Sequence, residues 1–72
     1  MSADVMNLPR PLPAKAVLVM QRITQRRVGI ALGMSELTVG RVLNGYEKPS
    51  PRFRAGLAKF LGRPERELFR DE

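Results

Sequence analysis

The side chains that could do chemistry in this chain are arginines. Histidine and cysteine are both absent, so a general base at neutral pH, a thiolate nucleophile and a zinc ligand set all lack their usual donors. Ser2, Ser35 and Ser50 have no base in their neighbourhood of sequence, which argues against nucleophilic catalysis. Lysine and arginine together number 13 against 7 acidic residues, giving a net charge of +6. Ten of the thirteen are arginine, whose planar fork suits phosphate and guanine edges better than a lysine ammonium does. A GC-rich genome would also enrich arginine without function. Against that, the charge is polarised: residues 46–63 carry a net +4 and residues 64–72 a net −2. One basic end points to a polyanionic partner.

Some elements must hold these arginines in place. Seventy-two residues make one domain with a marginal core. Cysteine is absent, which fits a reducing compartment. The N-terminal stretch has neither a basic start nor an unbroken apolar run, and nothing approaches a membrane span, so a soluble cytoplasmic protein is expected. Residues 1–12 read as an irregular proline-containing arm, 13–69 as the folded domain and 70–72 as a short tail.

Within the domain the spacing predicts five short helices and no strand. Pro13 can open the first, over 13–22, with Ala16, Val17, Met20 and Ile23 on its apolar face and Lys15 turned away. Thr24 can cap the second, whose stripe is Val28, Ala31 and Leu32 and whose end is Gly33. Ser35 can cap a third over 36–44, ending at Gly45. Ser50-Pro51 reads as cap and first turn of a fourth, with Phe53, Leu57, Phe60 and Leu61 as core and Gly62 as its stop. Pro64 opens a fifth, 64–69. The fold class is therefore all-α.

The third helix has two distinct sides. At 100° per residue, Val39, Val42 and Leu43 cluster on one, and Leu37, Arg41 and Asn44 on the other. A glycine inside such a helix costs about 1 kcal/mol relative to alanine, so Gly40 calls for a reason. Without a Cβ the backbone can come close to a thymine methyl or a phosphate; close helix–helix packing, or a tolerated accident, is the alternative.

The stretch "TQRRVGIALGMSELTVGRVLNG" resembles the helix-turn-helix of the Cro/C1-type (XRE) phage repressor family, in register from Gln25 to Gly45 without a gap. The likeness extends through "KPSPRFRAGLAKFLGRPERELF" and covers about residues 12–69. It implies a compact five-helix, lambda-repressor-like domain that binds a double-stranded DNA operator and regulates transcription, without catalysis, cofactor or small-molecule ligand. Carried over, the base-contacting positions are Glu36, Leu37, Thr38, Gly40 and Arg41. Gln25 would touch the DNA backbone and brace the recognition helix, and Asn44 would hold a phosphate. Arg26 and Ser35, at helix starts, and a clamp of Lys48, Arg52 and Arg54 would contact the backbone too. Arg41 suits guanine O6 and N7, Glu36 cytosine N4, and Leu37 a thymine methyl.

The sequence departs from the family pattern in three places. Arg26-Arg27 puts positive charge at a positive helix end, which is unfavourable unless a phosphate sits there. Gly29 stands for a more common alanine and should cost stability. No C-terminal oligomerisation domain follows, so the chain is either a Cro-sized regulator or part of a longer one. A weak homodimer through residues 62–72 or the arm is expected, because specificity on duplex DNA usually needs two half-sites about one turn apart. The competing reading is a protein-interaction module, an antitoxin or adaptor, built on the same fold and using the acidic tail "ERELFRDE".

Overall fold

Three hydroxyl side chains set where the helices begin. Thr24 Oγ1 accepts from the Arg27 N–H at 3.1 Å, Ser35 Oγ from Thr38 at 3.1 Å, and Ser50 Oγ from Phe53 at 3.1 Å, each satisfying one orphan donor of a first turn. The computed structural model describes residues 9–69. It is all-α, with α1 Pro13–Met20, α2 Gln25–Leu32, α3 Glu36–Leu43, α4 Pro51–Leu61 and α5 Glu65–Leu68. No strand occurs among the described residues. Residues 1–8 of the expected arm, and the 70–72 tail, lie outside them. Among the described residues no helix is long and apolar enough to cross a membrane.

The helix stops are equally local. Gly33 and Gly62 adopt φ of 72° and 69°, the left-handed conformation that closes a helix end cheaply only for glycine. After α1 the same position falls to Arg22, at φ 58°. Its N–H donates to Val19 O at 3.1 Å and that of Ile23 to Leu18 O at 2.9 Å, a Schellman pattern built without its usual glycine. This closure ends α1 at Met20, two residues before the expected boundary.

The core is Ala14, Leu18, Val28, Val39, Val42, Leu43, Phe53, Leu57, Leu68 and Phe69. In α1 the buried pair is Ala14 and Leu18, with Val17 and Ile23 packed beside it. The expected face of Ala16 and Met20 is rotated away, and Met20 is 80% exposed. Several apolar residues in a row leave the phase of so short a helix undetermined by period alone. Phe60, expected in the core, sits at its rim with 36% exposure. Phe53 and Phe69 meet edge to face, with centroids 6.0 Å apart, and tie α4 to α5.

α2 packs on α3 through Gly29. A Cβ there would lie 2.5 Å from the carbonyl oxygen of Met34, whose N–H donates back to Gly29 O at 2.8 Å. The turn rests on the bare backbone of α2. Gly29 is therefore a requirement of this turn, and the expected stability cost relative to alanine is reversed.

Candidate nucleic-acid interface

The outward side of α3 is a stripe at positions 36, 37, 40, 41 and 44, opposite buried Val39, Val42 and Leu43. Glu36, Leu37, Gly40, Arg41 and Asn44, with Gln25 from α2 and Tyr46 from the following loop, line one shallow concavity. Six of these seven are residues the sequence singles out. Leu37 is 75% exposed and Tyr46 64%, so the rim pairs apolar surface with the Arg41 guanidinium. Exposed apolar side chains beside a charge at a helix edge are the surface a base methyl and a base edge would need.

Gly40 forms the floor and is buried. The side chain lying over it is Gln25, whose Oε1 would be 2.8 Å from a Cβ at position 40. Of the explanations for this glycine, close helix–helix packing is the one seen. The bare backbone expected to meet a ligand is covered here by the Gln25 carboxamide. Gln25, at the start of α2, thus lies against the middle of α3.

Asn44 also has internal partners. Its Nδ2 donates to Gly40 O at 2.9 Å, and its Oδ1 accepts from Lys15 Nζ. It thus closes the last turn of α3 and joins it to α1, so its amide is already engaged at both ends. Lys15, expected to point away from the fold, is half-buried in this contact.

The remaining expected contacts are distributed. Ser35 Oγ is paired with Thr38 Oγ1 at 2.9 Å besides capping α3, and Thr38 is half-buried outside the concavity. Arg26 and Lys48 are exposed, and neither has a carboxylate partner among the described residues. Arg52 is likewise unpaired and borders a separate groove, with Leu32, Met34, Phe53, Lys59 and Phe60. Arg54, expected in the clamp, has partners within the fold. Its Nε donates to Glu65 Oε1 at 3.2 Å, and its guanidinium lies 5.0 Å from the centre of the Phe69 ring, so it locks α5 onto α4.

Two residues at this site were not singled out by the sequence, Tyr46 and Glu47. Both follow α3 in a loop where helical period gives no guidance. The available signal was Asn44-Gly45, because a left-handed glycine after a helix folds the next residues back over the last turn. Gly45 has φ 87°, and a Cβ on it would overlap the backbone of Arg10. The Leu12 N–H donates to Leu43 O at 2.8 Å, so the described end of the arm is fixed against the end of α3. Among the described residues no acidic cluster could hold a metal ion.

Searches with family models, of curated proteins and of solved structures returned no match for this chain.

Proposed function

We propose that the protein is a sequence-specific double-stranded-DNA-binding transcriptional regulator of the phage repressor or Cro-like kind, acting as a homodimer. α3 would enter the major groove with Glu36, Leu37 and Arg41 toward base edges. Gln25, Arg26, Lys48 and Arg52 would approach phosphates. The observation that carries this reading is the convergence of Leu37, Arg41, Glu36 and Tyr46 on one exposed side of a helix whose other side is buried. The net charge of +6 supports it, as do the cations Arg26, Arg27, Lys48 and Arg52, which have no carboxylate partner among the described residues.

The competing reading, a protein-interaction module, is favoured by the groove between α2 and α4, with its apolar floor and its Arg52 and Lys59 rim. The acidic end it would use is partly engaged already, since Glu65 pairs with Arg54 and Glu67 with Arg63. Duplex binding as a function of salt separates the two. The DNA reading expects log K to fall linearly with log salt, by about 0.9 per phosphate contacted. A flat salt response, or no duplex binding at low ionic strength, removes it.

A further inference from the structure

Arg41 reaches the outward side of α3 with a carboxylate already beside it. Glu47 Oε1 lies 3.4 Å from Arg41 Nε, and the loop that carries Glu47 is anchored to the same residue through its backbone. The N–H groups of Tyr46 and Glu47 both donate to the Arg41 carbonyl oxygen, at 2.9 and 3.2 Å, while that of Gly45 donates to Val42 O at 3.1 Å. The left-handed Gly45 makes this reversal possible. Glu47 is thus held over Arg41 by two independent connections, one from its backbone and one from its side chain.

The pair does little for the fold. Both side chains are about half exposed, and ion pairs in that setting contribute little to stability. What the carboxylate can do is restrict the guanidinium. Arginine presents five N–H donors in a rigid fork. An acceptor at the Nε edge leaves the two terminal nitrogens for a second planar acceptor, such as guanine O6 and N7. It also lowers the local positive charge, so that a phosphate, which carries a full negative charge, loses more of its attraction to Arg41 than a neutral base edge does.

We infer that Glu47 is a specificity-determining positioning residue, which aims Arg41 at a base edge and weakens its attraction for phosphate. This rests on the DNA-binding reading above and deepens it. Without Glu47, Arg41 would still bind DNA but would choose among bases less sharply.

The experiment selects duplexes from a randomised pool with the wild-type protein, Glu47→Gln, Arg41→Ala and the double variant. Unfolding midpoints are recorded alongside, because a common fold is needed for the comparison. Glu47→Gln is expected to bind random duplex about three- to tenfold more tightly, as an acidic group is lost near the polyanion. It is also expected to flatten the base preference at one position per half-site, the position that Arg41→Ala flattens. In the Arg41→Ala background, Glu47→Gln should leave the preference profile as it is. A wild-type protein that enriches no sequence overturns the DNA reading and this inference together. A wild-type preference that Glu47→Gln leaves intact, or a change equally large without Arg41, overturns the inference alone.

Discussion

Gly29 and Gly40 both face the α2–α3 seam, and both look like the same defect when the sequence alone is considered. In space they differ in what stands against them. Opposite Gly29 is backbone, the Met34 carbonyl oxygen at 2.5 Å from where a Cβ would be. Opposite Gly40 is the end of a side chain, the Gln25 Oε1 at 2.8 Å. The Met34 carbonyl lies in a turn held by the neighbouring Met34 N–H, which donates to Gly29 O, and it can yield only if the turn moves, whereas a glutamine can swing aside by rotating about its χ angles. The seam therefore has a rigid end at the turn and a compliant end under the outward side of α3.

The largest test of that difference is Gly29→Ala. A methyl group there must push Met34 and the start of α3 outward, and overpacking of this kind costs about 1–3 kcal/mol. The gain in helix propensity, about 1 kcal/mol, offsets part of it. A net loss of up to about 2 kcal/mol is expected in urea unfolding. If Gly29→Ala instead raises the midpoint, the turn is as compliant as the other end and the contrast fails.

A second contrast sharpens the first, between Arg41 and Arg54, two of the arginines that have carboxylate partners. Arg54 is 29% exposed against 55% for Arg41, and only Arg54 also stacks on a buried ring, Phe69. An ion pair near the surface contributes up to about 1 kcal/mol, discounted here because Glu65 is 44% exposed. A cation–π contact adds about 0.5–1 kcal/mol. Arg54→Ala should therefore lower stability by about 1 kcal/mol, while Arg41→Ala should change it by less than about 0.5 kcal/mol. Thermal unfolding of the two variants compares them directly; equal losses would mean that Arg41, too, serves the fold.

What the sequence makes legible here follows from how local each cause is. Thr24, Ser35 and Ser50 cap helices, and Gly33 and Gly62 stop them, because those interactions span only a few residues. The two sides of α3 follow from period, since Val39, Val42 and Leu43 are separated from Leu37 and Arg41 by polar and small residues. The face of α1 does not follow, because Ala14 to Met20 is apolar nearly throughout and any phase fits. Arg54 and Asn44 each have chemistry that suits a phosphate. Glu65 and Phe69, which engage Arg54, and Lys15, which engages Asn44, are distant in sequence, and no local pattern announces them. Tyr46 and Glu47 escape for a related reason, because a loop has no period to mark which side chains return to the helix.

The smallest expected effect, and the one that joins fold to site, is Gly40→Ala. The new Cβ would displace the Gln25 carboxamide from the floor of the concavity, and its three nearest neighbours from other elements are all atoms of that side chain, not backbone. The helix gains up to about 1 kcal/mol in propensity, and the displaced glutamine loses some packing, so a net stabilisation of about 0.5 kcal/mol is expected. Its sign is opposite to that of Gly29→Ala, though the substitution is the same. Gln25 connects the start of α2 to α3, so moving it also changes the surface between Leu37, Arg41 and Tyr46. On the DNA reading, Gly40→Ala should then be a more stable protein that binds its selected duplex less well, and Gln25→Ala should share the binding loss. Urea unfolding and duplex titration on the same sample give both quantities. A destabilisation of more than about 1 kcal/mol would show that Gln25 cannot move, making this end of the seam as rigid as the turn.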